Sequence, residues 1–483
     1  MERFADKHAR KLKQLSDAAG TQKKAPYMMH FDGHNNRIDR IVRPAETLEL
    51  EEEVWNEAVF AEGVDPWARF LKIYLLTALG ESGVNCAHCC TGGLNLLLER
   101  FADTPELERI HEHLTDGIEG DYGIAAQFLS EIQGGSDVAA NLTEAVNTGN
   151  EWRIYGTKFY CSAAHADYAV ITAKPSGSDE VAIFLVPSWL PGDKDKEKRN
   201  SFVINRIKSK LGTRELPTAE ITYNGAVAYP LGDLKKGLSN IVGIVLSHSR
   251  FISGLGPGAQ MMRVTEEAKH YAGLRTAFGV TISNFGLVAA QLKKLDKYTE
   301  RTTAASFKLQ REILRMEQSD RGESVFDSAL QGKQHRFHVR LLIMLNKMVA
   351  TTDAVMVSEL AMSIFGGHGL MEDFSSHPRM YRDAVVLSGA WEGPKNLLLT
   401  RIFMDIQKSN EWYPVEELIR NLLADAHGDT VEGLVERVGL FLDHGTLMGV
   451  DDKTIEVCEK WEKFCFDMMH AYQDVARREV ALG

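Results

Sequence analysis

The spacing of apolar positions changes character twice along the chain. From about Leu48 to Leu114 they recur at helical intervals, as in Trp67, Phe70, Leu71, Tyr74, Leu75 and Ala78, the rhythm of amphipathic helices. From about Tyr122 to Tyr229 the texture becomes short β-rich runs: Arg153–Tyr160, Tyr168–Ala173, Val181–Val186, Phe202–Ile207 and Ala219–Tyr223. Gly, Pro, Ser and Asp separate them, which predicts an antiparallel sheet or barrel. After Gly232–Gly237 the helical period returns and holds to about Gln407. Its segments near Ser239–Leu274, Thr281–Met316 and Phe326–Phe365 are long and predict a bundle. A helical tail follows, clearest over Val415–Leu423 and Ile455–Val480.

The expected architecture is therefore mainly α with a central β module. An N-terminal extension (1–47) leads to a helical domain (48–120), a β domain (121–234), a helical bundle (235–407) and a helical extension (408–483).

Charge narrows the functional classes. The 483 residues hold 55 basic and 67 acidic side chains, a net of −12, which argues against a nucleic-acid binder with its basic face. The first fifty residues have 10 basic and 7 acidic groups, and Arg401 to Gly483 has 9 against 17. Neither end is a polybasic arm. Six cysteines over this length make no disulfide framework, and Met1–Lys13 is a mixed-charge run rather than a leader. The longest apolar stretch, Leu341–Phe365, is interrupted by Lys347, Asp353 and Glu359. No bilayer span and a reducing, cytoplasmic setting are expected.

Four segments can carry chemistry. Ser130-Glu131-Ile132-Gln133-Gly134-Gly135-Ser136-Asp137 sets a Gly pair among hydroxyls, so main-chain N–H groups can approach a flat or anionic ligand. Arg275-Thr276-Ala277-Phe278-Gly279 follows a helix, where the arginine can grip a phosphate or simply cap the helix end. Phe365-Gly366-Gly367-His368-Gly369 has more glycines than a C-cap needs. In Ala390-Trp391-Glu392-Gly393-Pro394 a lone carboxylate sits between an indole and a glycine, where partial desolvation would raise its pKa toward that of a useful base.

Together and in this order, these segments resemble the acyl-CoA dehydrogenase family of flavoproteins over roughly Leu48 to Gln407. The resemblance is nearest to the AidB-type branch with its C-terminal helical extension. Asn36-Arg37-Ile38-Asp39, Gln133–Val138, Lys210-Leu211-Gly212, Ser249-Arg250-Phe251, Ile364–Leu370 and Trp391-Glu392-Gly393 carry it. It implies a helical domain, a β-barrel or sandwich domain and a four-helix bundle.

It also implies FAD-dependent α,β-dehydrogenation of an acyl-CoA, with Glu392 removing the α-proton and the β-hydrogen leaving as hydride to flavin. Some family members place the base immediately before an arginine on a bundle helix. Here that position is Ser249, so no carboxylate is available there. By the same resemblance Phe128, Ser130, Tyr160 and Ser162 fall at the flavin, although Tyr160 is equally a strand residue packing in the β module. Arg275, Phe278, Gly366 and Gly367 fall where the family holds the FAD of a neighbouring subunit, which implies a homodimer or homotetramer. Ser136 and Arg250 fall at the substrate. Pro394, Ser363 and Asn284–Gly286 replace a threonine and two glutamines usual in the family. Expected partners are an acyl-CoA and an electron-transferring flavoprotein, in fatty acid or other carboxylic acid degradation. The alternatives are an AidB-like DNA-binding flavoprotein with little dehydrogenase activity, and an acyl-CoA oxidase.

Other signals are discounted. Cys86, Cys89 and Cys90 with His88 lack a second cysteine pair at zinc spacing. His335 and His338 read as a solvated helix face. Cys458 and Cys465 share one helical face and are expected to pack. Met1–Leu15 makes only a short apolar stripe, too little for membrane attachment.

Overall fold

Three helix starts in the first unit are set by side chains that satisfy the first unpaired amides. Asp65 accepts from the Ala68 N–H ahead of helix Pro66–Ala78, and Thr104 from Leu107 ahead of Pro105–Thr115. Glu81 accepts from Gly83 and Val84 at the head of Ser82–Phe101. The computed structural model describes residues 1–482 and divides into two compact units. One comprises residues 1–249 and 371–383; the other comprises 250–370 and 384–483.

The first unit joins these helices to a seven-stranded sheet: Ala125–Phe128, Glu144–Asn147, Trp152–Ser162, Tyr168–Pro175, Ala182–Pro187, Phe202–Ile207 and Thr218–Pro230. Trp152–Ser162 and Thr218–Pro230 form its long antiparallel pair, and Tyr168–Pro175 pairs antiparallel with Ala182–Pro187. Pairing of Ala182–Pro187 with Thr218–Pro230, and of Glu144–Asn147 with both Trp152–Ser162 and Tyr168–Pro175, closes the ring.

The sheet closes as the expected barrel, and two short strands depart from the expected antiparallel order. Ala125–Phe128 and Glu144–Asn147 run parallel to Tyr168–Pro175. Both are four-residue strands, too short to print a period of two, and parallel neighbours are joined by long crossovers. Leu94, Leu97 and Leu98 pack with Ile110, Leu114, Val170, Ile183 and Leu185 in one buried core.

Helical residues 2–19 bury Phe4 and Leu12, so their apolar stripe packs inside the unit. A hairpin of Tyr27–Phe31 with Arg37–Val42 follows, tied at its loop by Asp32 accepting from the His34 and Asn36 amides.

The second unit is helical throughout, apart from one two-residue hairpin. Residues 250–274 complete a long helix that begins at Leu246; Gly286–Asp320, Ala329–Phe365 and Lys395–Ser409 follow. The tail helices Val415–Leu422, Gly428–His444 and Asp452–Leu482 belong to this unit, and the last packs on Gly286–Asp320 and Ala329–Phe365. Trp461, Phe464 and Cys465 are buried there, and the Trp461 indole donates to the Leu399 carbonyl at 3.0 Å. Ala329–Phe365 is apolar and long enough to cross a membrane by composition, but here it is the buried helix of the unit. Its Asp353 pairs with Arg301 and His470.

The solvated reading of His335 and His338 is corrected. His338 Nε2 lies 2.8 Å from the Tyr413 hydroxyl and His335 Nε2 lies 2.8 Å from the Glu312 carbonyl. Burial pushes His338 down to about 4. The two contacts are long-range, to the tail for His338 and to helix Gly286–Asp320 for His335, so neither shows in the local pattern. All six cysteines are free thiols, and no metal-ligating group of three or more side chains occurs among the described residues.

A buried acidic cluster ties residues 371–383 into the first unit. Asp383 accepts from the Thr213 amide, Glu215 accepts from the Ser82 amide, and Arg379 donates to the Ser16 carbonyl. Burial, with the charge of Glu215, pushes Glu81 up to about 7 and Asp383 up to about 8. The folded state thus holds protons that the unfolded chain releases near its ordinary carboxyl pKa. The stabilisation is complete below that value and is lost as pH rises through the folded pKa values. The urea midpoint should therefore fall from about pH 5 to about pH 9, and Asp383→Asn should flatten that fall.

Candidate active site

Glu392 lies in the second unit, in the turn between the helix ending at Gly389 and the helix Lys395–Ser409. Its φ is +56° and that of Gly393 is +102°. The left-handed region costs a side-chain-bearing residue about 1–2 kcal/mol, so the turn needs external support. Two cations supply it. Arg250 Nε donates to the Glu392 carbonyl at 3.0 Å, and Lys347 Nζ donates to the Gly393 carbonyl at 2.8 Å.

Arg250 and Lys347 come from different helices, which Gly254 allows to approach. A Cβ at Gly254 would meet Asn346 Nδ2 at 2.7 Å and the Lys347 amide nitrogen at 3.1 Å. Burial pushes the Glu392 carboxyl up, against the opposing charges of Arg250 and Lys347. Burial pushes Lys347 down to about 8, with the charge of Glu392 opposing, and also lowers Arg250. The result is a carboxylate more basic than one in water, with positive charge beside it to favour its ionised form.

In the first unit the Ser130–Asp137 turn is organised by Glu131, which is 4% exposed. Its carboxylate accepts from the Leu142 amide (2.7 Å), the Thr143 amide (3.1 Å), the Thr143 hydroxyl (2.6 Å) and Lys158 Nζ (2.8 Å). Burial alone would raise Glu131; the Lys158 charge and these bonds prevail and hold it at about 2. The Phe159 amide donates to the Ser130 carbonyl at 2.9 Å, which fixes the turn to strand Trp152–Ser162. A Cβ at Gly135 would lie 2.2 Å from Ser130 Oγ, so only glycine lets the turn fold over that hydroxyl. Ser136 is exposed on the same turn.

Along the strand Tyr160 is 55% exposed, with Lys208 Nζ 4.7 Å from its ring centroid and 3.3 Å from that of Phe159. The Ser162 and Thr218 hydroxyls are 3.0 Å apart. Phe128 is buried, so its ring belongs to the module's core.

The third group is in the second unit. Thr276–Ala277 and Val280–Thr281 form a hairpin whose turn residues, Phe278 and Gly279, have φ of +50° and +81°. This hairpin delays the next helix from the expected Thr281 to Gly286. Phe278 is 98% exposed and Arg275 is exposed beside it. Gly366, with φ +60°, ends helix Ala329–Phe365, and the Tyr271 hydroxyl lies 2.9 Å from His368 Nδ1. A Cβ at Gly367 would meet nothing within 4 Å, so this chain's own packing does not require that glycine.

The structure thus joins Glu392 to Arg250, Ser130 to Ser136 on one turn with Tyr160 and Ser162 on the strand it is tied to, and Arg275 to Phe278. Lys347 was missed as a partner of Glu392, although its signal, a lone ammonium in an apolar helical run, was visible. A separate cavity of about 590 Å³ in the first unit is lined by Trp55, Tyr122, Trp189 and Arg199. It contains none of the expected site residues. Arg43–Glu51 and Lys194–Asp167 are paired within it, while Arg199 lies over the Trp189 ring with Nε and Nη1 unpartnered among the described residues.

Two family models match the chain: the acyl-CoA dehydrogenase middle domain over residues 126–226 and the acyl-CoA dehydrogenase C-terminal domain over residues 235–406. Together they cover more than half of it. The chain belongs to the acyl-CoA dehydrogenase family. It is 29% identical over 427 residues to acyl-CoA dehydrogenase family member 11 of Caenorhabditis elegans, covering 82% of this chain and 65% of that relative. It is 28% identical over 406 residues to the putative acyl-CoA dehydrogenase AidB of Escherichia coli, covering 79% and 69%.

Among solved structures, the apo form of Bd2924 superposes with a TM-score of 0.85 at 24% identity, covering 99% of this chain and 92% of that one. Caenorhabditis elegans ACDH-11, in complex with C11-CoA, gives 0.77 at 22%, covering 100% and 86%. A Bacillus anthracis acyl-CoA dehydrogenase complexed with FAD gives 0.67 at 18%, covering 90% and 77%. These likenesses establish the acyl-CoA dehydrogenase fold for this chain.

The Glu131–Lys158 pair predicts a large stability effect. Glu131→Ala leaves a buried ammonium uncompensated and should cost about 3–5 kcal/mol of unfolding free energy, read from urea denaturation at neutral pH.

Proposed function

We propose that this protein oxidises an acyl-CoA thioester between its α and β carbons, with Glu392 as the base for the α-proton and FAD as the bound redox group. The observation that carries the reading is the Glu392 turn, in which burial raises a carboxyl whose backbone two cations hold in place. An α-proton beside a thioester is too weak an acid for a carboxylate in water. Excluding water strengthens the base, and N–H donors at the thioester oxygen lower the cost of the developing negative charge. In this reading a Glu392 carboxylate oxygen takes the proton while its main-chain N–H faces the thioester oxygen.

The residues present fit FAD. A flat ring with hydrogen-bonding edges suits the exposed Tyr160 face, the Ser130 and Ser162 hydroxyls and the glycine turn at Gly134-Gly135. The chemistry that group supplies when bound is acceptance of the β-hydrogen as hydride. Arg275 suits its pyrophosphate, and the exposed Phe278 with the open backbone at Gly367 suits contact with a second subunit. The assembly is accordingly proposed as at least a homodimer. An electron-transferring flavoprotein is the proposed acceptor.

Anaerobic addition of a panel of acyl-CoA thioesters to the purified yellow protein should bleach the flavin with at least one of them. If none does so and duplex DNA binds with a steep salt dependence, the DNA-binding reading replaces this one. Glu392→Gln should retain FAD and acyl-CoA binding while kcat falls by roughly 10²–10⁴-fold. Unchanged turnover would remove Glu392 from the reaction. Phe278→Ser should shift the protein to a smaller assembly in light scattering and weaken its retention of FAD.

A further inference from the structure

Lys347 is 1% exposed in the middle of a run in which Leu341, Leu342, Leu345, Met348 and Val349 are also buried. Burying an ammonium costs several kcal/mol unless charge and hydrogen bonding compensate. A methionine would fill the same space without that cost, so packing alone does not account for a lysine here. Its ammonium reaches the Gly393 carbonyl at 2.8 Å, one residue beyond the carboxylate-bearing Glu392.

We propose that Lys347 is a positioning residue for the Glu392 base: its hydrogen bond clamps the left-handed turn that presents the carboxylate, and its charge favours the ionised form. The inference rests on Glu392 being the base, as argued above. Arg250 holds the preceding carbonyl, so the two cations grip consecutive peptide groups and fix the turn on both sides. Neither role is redundant. Arg250 also feels Arg340, Arg401 and Asp405, whereas the partners of Lys347 are Glu392 and Arg250. Charge on Lys347 therefore acts chiefly on the carboxylate. Since its burial lowers Lys347 to about 8, the clamp is fully charged below that pH and fades above it.

The test uses the FAD-loaded enzyme with Lys347→Met, Lys347→Gln and Lys347→Arg. Lys347→Met should lower kcat on the order of 100-fold, as a misplaced reacting group does, while KM changes little. The acid limb of its kcat profile should move to higher pH. Lys347→Gln keeps an N–H for Gly393 but no charge; it should retain more turnover than the methionine variant yet show the same shift of the acid limb. Lys347→Arg should restore the wild-type limb. Wild-type pH limbs in both uncharged variants would overturn the proposal, and Lys347→Gln decides it if Lys347→Met does not fold.

A second readout needs no turnover. The Glu392 carboxyl stretch, assigned by its loss in Glu392→Gln, should titrate at higher pH in Lys347→Gln by infrared difference spectroscopy. If wild-type protein turns over no thioester, the function assigned to Glu392 fails while this titration still decides whether Lys347 controls its charge. An unmoved titration overturns that control.

Discussion

The site depends on holding a carboxylate-bearing residue in a backbone conformation it does not favour. Glu392 and Gly393 both have positive φ, and their carbonyls are gripped by Arg250 and Lys347 from two separate helices. Each part is costly alone: a left-handed glutamate, a buried ammonium and a partly desolvated carboxyl. Together they offset one another, because the cations lower the cost of the carboxylate and the turn's carbonyls satisfy the cations. Gly254 is part of this balance, since any side chain there would push one cation-bearing helix off the other.

Two carboxyls of the chain, Glu131 and Glu392, show how contacts decide basicity. At Glu131 five donors, one of them charged, end on the carboxylate oxygens, and the group is held at about 2. At Glu392 the Arg250 and Lys347 bonds end on main-chain carbonyls, and burial prevails over their charge, so the group is raised. The first arrangement makes a rigid strut for the Ser130–Asp137 turn. The second leaves a carboxylate more basic than one in water. In both, a lysine's charge opposes the cost of burial; at Glu131 the lysine also bonds the carboxylate, whereas Lys347 bonds the Gly393 carbonyl.

Much of this was legible in the sequence. Helical, β and again helical periodicity gave the order of parts, and the Trp391-Glu392-Gly393 motif gave the carboxylate. Four-residue strands carry too little pattern to reveal their direction, so the parallel pairing of Ala125–Phe128 stayed hidden. The Gly286 helix start was obscured because the Phe278-Gly279 hairpin ahead of it is made of residues that also suit a helix end. Lys347 was read as an interruption of an apolar run. The apolar run marks the ammonium as unusual, but its partner, the Gly393 carbonyl 46 positions later in the chain, leaves no local trace.

The return of residues 371–383 to the first unit has a practical consequence. No single cut yields that unit whole. A fragment ending at Ser249 would lack Arg379, whose guanidinium donates to the Ser16 carbonyl, and Asp383, which accepts from Thr213. It would expose Gly80, Ser82 and Gly212 where those side chains now pack. Chimeras that exchange the β module between relatives must therefore carry this thirteen-residue strap with it, or accept a unit with its seam open.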